Sequence, residues 1–320
     1  MGDGGNVAEL TILAEGLRFP EGPVAMPDGS VLVVEVAAGR ITRVAPDRSK
    51  TVVAEPGDGP NGMALGPDGK LYVCNNGGCF TWHDHDGMLV PGAHDPGRYR
   101  GGRIERIDLN SGTVEVLYTE CAGHRLLAPN DIVFDAEGGF WFTDHGLVHD
   151  RSKSRSAIYY AATDGSSIAE VVFPLDSPNG IALSPDGTRL YTAETFTGRV
   201  WFWDLAAPGQ IVPAPGILGH GGTVLRGLGG ERAFTGLDSM AVDGDGWVCV
   251  ATLIAGGITA VSPDHEQVEF HSTGDPMTTN ICFGGADLGT AFVTLSGSGR
   301  LAAMPWPRPG LEPAFAPASR

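Results

Sequence analysis

Cysteine is scarce in this chain, basic charge is scarcer than acidic, and long apolar runs and helical periodicity are missing. The five cysteines, Cys74, Cys79, Cys121, Cys249 and Cys282, are odd in number and lack the paired spacing of a zinc site. Four of them sit in or beside apolar strand-like runs, so they read as buried thiols of a protein in a reducing cytoplasm. No apolar stretch approaches the ~20 residues of a membrane-spanning helix. The opening run Met1 to Asn6 has neither the basic start nor the apolar centre of a secretory leader. Lys and Arg together number 21 against 38 Asp and Glu, a net charge of −17. That balance argues against nucleic acid or an anionic membrane as a partner and suits a soluble protein that gathers a cation.

What the chain does have is punctuation. With 48 Gly and 23 Pro among 320 residues, it breaks into many short strands. Six times a run opens on an acid or amide, enters an apolar strand, and is followed by turn residues and a second strand. The leading residues are Glu21, Asn61, Asn130, Asn179, Asp238 and Asn280. Turns such as Pro27-Asp28-Gly29, Pro67-Asp68-Gly69 and Pro185-Asp186-Gly187 follow, then strands such as Leu71-Tyr72-Val73 and Phe140-Trp141-Phe142-Thr143. A strand–turn–strand period of roughly 40 to 70 residues marks a radial β-array. Third strands (Gly39 to Val44, Gly102 to Ile107, Gly198 to Phe202) and fourth strands (Thr51 to Val53, Val114 to Leu117) complete the units.

The expected fold is therefore all-β, a six-bladed β-propeller of four-stranded blades formed by one domain over residues 1–320. Only three strands follow the start of the last repeat, so Leu10 to Leu13 is expected to supply its outer strand and close the ring, which removes exposed sheet edges. Residues 1–7 and 305–320 are expected as peripheral tails. Three long connections, residues 77–101, 144–156 and 205–233, are expected to form the mouth of a site.

Radial symmetry brings the six leading residues to one point, at the channel end of each inner strand. Two carboxylates and four amides, with no Cys or His, make an all-oxygen set. Such a set suits one hard divalent cation, Ca²⁺ before Mg²⁺ or Mn²⁺. Asn before Gly is also an ordinary turn pair, but turns do not require acids at Glu21 and Asp238.

Glu21-Gly22-Pro23, Pro129-Asn130-Asp131, Ser177-Pro178-Asn179-Gly180, Leu237-Asp238-Ser239 and Cys282-Phe283-Gly284-Gly285, in this order, resemble the gluconolactonase and senescence-marker-protein (regucalcin) family of six-bladed propellers. The resemblance implies a hydrolase that opens lactones, with related propellers acting on organophosphates. It implies one catalytic metal ion, usually Ca²⁺ with Mn²⁺, Mg²⁺ or Zn²⁺ as alternatives, held by Glu21, Asn130, Asn179 and Asp238, and a substrate contact at Asn61. Asp238 is the candidate catalytic residue, as general base on water or as nucleophile. Sugar-lactone members carry an Arg two residues before the second-repeat Asn. Here Gly59 stands in that place, which leaves room for aromatic or less hydroxylated lactones. The partner is thus a small-molecule lactone. The other readings are phosphotriester hydrolysis, a strictosidine-synthase-like condensation, and a non-enzymatic propeller that binds a partner.

Asn280 in the ring, and His124 and His145 from nearby loops, are candidate substrate contacts. For the two histidines a structural hydrogen-bonding role is the competing reading. His83-Asp84-His85-Asp86 reads as a solvated loop rather than a metal cluster. Glu35 and Glu194 occupy matching places and read as scaffold, each holding a nearby Arg or backbone amide. Asp131 is expected to bind a backbone amide beneath the ion.

Overall fold

The structure is a computed structural model that describes residues 10–213, 220–228 and 235–315. The expected tail 1–7 and the end of the chain from residue 316 lie outside the described residues. Six antiparallel sheets surround one axis. Their innermost strands are Pro20–Ala25, Pro60–Leu65, Pro129–Phe134, Pro178–Leu183, Leu237–Val242 and Thr278–Gly284, and they define blades 1 to 6. Each neighbours the inner strand of the next blade, and blade 6 returns to blade 1. The ring closes as expected: Thr11–Ala14 pairs with Arg300–Pro305, Thr11 opposite Ala303. Each sheet has four strands except that of blade 4, where a short strand, Gln210–Ile211, is added beside the outer strand Thr223–Gly227.

Burial follows distance from the axis. The second strands Val31–Glu35, Leu71–Asn75, Phe140–Asp144 and Val248–Thr252 are buried at every position, because both faces of a blade pack on neighbouring blades. Their near-continuous apolar runs are the signature of such two-sided burial. Outer strands face solvent on one side and leave Val52, Val116 and Val268 exposed. Between blades 2 and 3, Tyr72, Phe134, Phe140 and Phe142 pack together. Each fully buried aromatic contributes about 2 kcal/mol on transfer scales.

Two local features aim the leading residues at the axis. In all six blades the pairing of the inner with the second strand shifts register at the leading residue: across it in blades 2 to 5, for example between Pro60 and Met63 and between Pro178 and Ile181, just after Glu21 in blade 1 and just before Asn280 in blade 6. A bulge of this kind re-aims a side chain out of the sheet's alternation. The glycines that follow three of them serve close approach between strands. A Cβ on Gly22 would meet the Asn61 carbonyl oxygen at 2.5 Å, one on Gly62 the Asn130 carbonyl oxygen at 2.6 Å, and one on Gly180 the Asp238 carbonyl oxygen at 2.7 Å. Each glycine thus lets the next blade's backbone reach the axis. Gly180→Ala meets only backbone atoms, which cannot swing aside, and should cost about 1–3 kcal/mol, the usual range for overpacking. An unchanged urea midpoint would contradict this reading.

A second device fixes the chain just ahead of the ring. The last side chain of the second strand accepts hydrogen bonds from backbone amides two or three residues before the leading residue. Glu35 takes the Arg18 amide (2.8 Å), Asn75 the Gly59 amide (3.2 Å), Asp144 those of Leu127 and Ala128 (2.6 and 2.8 Å), and Glu194 that of Asp176 (2.8 Å). Glu35 also pairs with Arg40 at 2.7 Å. The scaffold role expected for Glu35 and Glu194 is what the structure shows.

Strand direction sorts the long connections. Inner strands begin, and second strands end, at the face that carries the leading residues, since Pro20 pairs with Glu35 and Pro60 with Asn75. Residues 77–101 and 144–156 leave from that face. The first forms the hairpin Phe80–His85 with Met88–His94, whose Leu89 amide bonds the Gly297 carbonyl of blade 6 at 2.9 Å. The connection after Arg199–Ala207, by contrast, leaves from the opposite face, because a third strand runs away from the ring. The expectation that 205–233 would form the same mouth is corrected for that stretch.

Residues 306–315, expected at the periphery, instead pack across the opposite face. Arg308 donates to buried Asp243 at 2.6 Å and lies 4.0 Å over the Trp247 ring. Gly310 sits so tightly on Phe283 that a Cβ would lie 2.0 Å from that side chain. Phe315 meets Phe134 edge-on at 5.7 Å.

Candidate metal centre

Each residue of the expected set stands near the start of an inner strand, on one face of the ring. Glu21, Asn61, Asn130, Asn179 and Asn280 are all buried, at 2–7% exposure, and Asp238 is partly exposed. Asn280 Nδ2 donates to Glu21 Oε2 at 2.8 Å, and the Gly22 amide donates to the same oxygen at 2.7 Å. Ser239 Oγ reaches Asn179 Oδ1 at 3.4 Å, and Asn179 Nδ2 donates to Thr195 Oγ1 at 3.1 Å. Asn280 therefore orients Glu21, a positioning role in addition to the substrate contact expected from the sequence.

Three carboxylates share this small volume. Burial raises the Glu21 carboxyl, opposed by hydrogen bonds from Thr279, Asn280 and the Gly22 amide. Burial also holds Asp238 well above the usual carboxylate range; the Glu21 charge adds to the rise, and a hydrogen bond with Asn179 opposes it. Asp131 is pushed up to about 7 by burial and by the charge of Glu21. Like charges gathered out of water raise one another in this way, and a cation among them would relieve the repulsion.

Asn130 Oδ1 is buried with no hydrogen-bond partner. An acceptor left unsatisfied costs about 1–3 kcal/mol. The all-oxygen chemistry of the set and this orphaned oxygen fit a hard cation. Among the described residues no group of three or more His, Cys, Asp or Glu could hold a metal ion; the ring's candidate donors are two acids and two amides.

Asp131 binds backbone as expected, its carboxylate accepting from the Ile132 amide at 3.0 Å and the Ile181 amide at 3.3 Å. Thr143, which the sequence reading left without a role, ties the ring together: its hydroxyl accepts from the Asp131 amide at 3.1 Å and donates to the Asn179 carbonyl at 2.5 Å. Its signal was available as the lone hydroxyl closing Phe140-Trp141-Phe142-Thr143.

The two histidines separate. His145 is buried on the ring's face beside Phe196, ring centroids 5.9 Å apart, one residue along from the Thr195 that holds Asn179. Burial, aided by the charge of Lys153, lowers its imidazole to about 4, so it is neutral at physiological pH. Lys153 from the same connection lies 4.6 Å over the Phe196 ring and pairs with Asp176. His124 is exposed on the short hairpin Glu120–Cys121 with His124–Arg125. That hairpin touches the outermost strand of blade 3 through Cys121 and Ile168, at the rim rather than the axis. The substrate contact expected of His124 is not supported. His83, Asp84, His85 and Asp86 are exposed on the hairpin of residues 80–94.

Residues 19–297 match the family described as SMP-30/Gluconolactonase/LRE-like region. A gluconolactonase of Zymomonas mobilis is 27% identical over 304 residues, covering 86% of this chain and 76% of its own length. A lactonase drp35 of Staphylococcus haemolyticus is 29% identical, covering 76% of this chain and 65% of its own length. A solved calcium-binding regucalcin of Agrobacterium tumefaciens superposes with a TM-score of 0.73 at 19% identity, over 96% of this chain and 97% of the other.

Proposed function

Because the chain belongs to the SMP-30/gluconolactonase/LRE-like family, we propose that it is a hydrolase that opens a lactone with one divalent cation, Ca²⁺ first, held by Glu21, Asn130, Asn179 and Asp238. The observation that carries this reading is the orphaned Asn130 Oδ1 at the start of its inner strand, together with ring carboxylates that raise one another. The similar proteins named gluconolactonase and lactonase drp35 support the reaction class. When bound, the cation supplies Lewis-acid polarisation of the ester carbonyl and balances the charge of the site.

The chain's own side chains divide the rest. Asn280 and the Gly22 amide hold Glu21 in place, and Thr195 and Ser239 hold Asn179. Asp238 is the member of the ligand set that is partly open to solvent, so it meets the attacking water or the carbonyl. As a carboxylate it takes the proton from that water, or adds to the ester itself. Asn61, buried in the ring, is left to position the lactone. The family-type Arg is missing at Gly59, where a side chain would have to displace Asn76, since a Cβ there would lie 2.0 Å from Asn76 Oδ1. With neutral His145 and Phe196 on the same face, the site favours less hydroxylated or aromatic lactones over polyol acids. The free thiols support a reducing cytoplasm as its setting.

A pH-indicator assay on dihydrocoumarin, γ-butyrolactone, glucono-1,5-lactone and a phosphotriester tests this assignment. Dihydrocoumarin should exceed gluconolactone by about tenfold in kcat/KM, the worth of one missing polar contact. Turnover of the phosphotriester alone would move the reaction to that class, and no turnover of any would favour the binding-propeller reading.

A further inference from the structure

We propose that the far half of the central channel is a second ligand site, which takes an elongated apolar molecule carrying a cationic group. A cavity of about 640 Å³ occupies this half, within the roughly 300–1,000 Å³ typical of small-molecule sites. Its walls are the later residues of the inner strands, among them Leu65, Phe134, Leu183, Val242 and Phe283. Its inner end is formed by Gly22, Asp131 and Asn280, and none of Glu21, Asn130, Asn179 or Asp238 lines it. The space therefore lies on the other side of the oxygen ring, and the inference stands or falls independently of the lactonase reading.

The strap of residues 306–315 roofs the space. It is fastened through Arg308 to Asp243, through the Gly244 amide to the Pro309 carbonyl at 2.8 Å, and through Gly310 against Phe283. Over the channel it presents Leu311, Pro313, Ala314 and Phe315. Anchored at residues 308–310 and meeting Phe134 through Phe315 at its other end, with Glu312 as the one charged residue between, it leaves a walled space that an apolar body would fill, gaining dispersion contacts.

Charge selects the rest of the ligand. Among the described residues, Asp131, Asp135, Glu137, Asp186 and Glu312 line the cavity, and no Lys, Arg or His does. Asp135 and Asp186 also cap their own turns, through the Gly139 and Thr188 amides; that explains their presence and leaves their charge in place. Low-dielectric walls focus a field of one sign, so a cationic head is drawn in and an anionic one is turned away.

The test uses the whole purified chain and the neutral fluorophore N-phenyl-1-naphthylamine, displaced by dodecyltrimethylammonium or by dodecanoate below their micelle concentrations. The fluorophore should bind, and the ammonium should displace it at least about tenfold more tightly than the carboxylate, a difference of ~1.4 kcal/mol. Leu183→Trp and Ala241→Trp fill the cavity and should each weaken fluorophore binding at least about tenfold with lactone turnover unchanged. The paired change Glu137→Gln with Glu312→Gln, at two exposed positions that folding does not require, should reduce the preference for the cation. Absence of fluorophore binding, equal displacement by the two detergents, or an unchanged preference in the paired variant would each overturn the proposal.

Discussion

Asp238→Asn should abolish lactone hydrolysis, with kcat falling by about a thousandfold or more, while the thermal transition stays cooperative. The size follows from the role. A positioned base contributes about 10²–10⁴-fold, and an amide of the same shape can neither accept the proton nor attack. The Asn side chain keeps the volume and can still lie beside Asn179, so the local packing is retained. Removing the charge also relieves the repulsion that Asp238 feels from Glu21, so the variant without metal should melt at least as high as the parent. That combination, lost turnover with a preserved or raised melting temperature, separates a chemical role from a structural one. Residual kcat within tenfold of the parent would remove Asp238 from the mechanism and leave it as scaffold.

The second large effect concerns stability and needs no substrate. A cation that binds the folded ring and not the unfolded chain stabilises by about 2.7 kcal/mol at a hundred times its dissociation constant. For a chain of this size that corresponds to a rise of roughly 4 °C in Tm. Glu21→Gln removes one of the two acids in the ligand set but keeps an oxygen for the Gly22 amide and for Asn280. It should therefore lose most of the Ca²⁺-dependent rise while leaving the chelated protein's Tm within about 2 °C of the parent, because like-charge repulsion is relieved as a hydrogen-bond acceptor weakens. A full Ca²⁺-dependent rise in Glu21→Gln would place the cation elsewhere. A rise of under 1 °C in the parent would deny that the ring holds it.

Much of this was legible before any coordinates. Six repeats of strand, turn and strand specify six sheets, and the position of the polar residue just before each buried strand specifies the ring. Closure by the strand near residue 11 follows from counting three strands in the last repeat. The glycine of Asn61-Gly62 and Asn179-Gly180 was ambiguous, since a tight turn and a close approach both call for glycine. Only the position of the neighbouring blade, whose carbonyl lies where a Cβ would stand, decides for close approach.

Other features depend on direction and distance that periodicity does not carry. The run 205–233 is at least as long as 77–101, but a third strand ends where a second strand begins, so its first part emerges on the opposite face. His124 lies six residues ahead of Asn130, near in sequence, yet a short hairpin carries it to the rim. Asn280 has the same place in its repeat as Asn61, and only the blade 6 to blade 1 contact reveals that its amide holds Glu21. The proline-rich end looked like a loose tail, because nothing in its composition shows that Arg308 finds a buried carboxylate sixty-five residues earlier.

The ring is proposed to open a lactone with one divalent cation. The most direct measurement is acid release from dihydrocoumarin by a single protein sample as purified, after exhaustive chelation, and after Ca²⁺ is returned. On this reading chelation lowers the rate to background and about one equivalent of Ca²⁺ per chain, with Mn²⁺ or Zn²⁺ as alternatives, restores it. A rate that survives chelation with no metal detectable in the sample would contradict it.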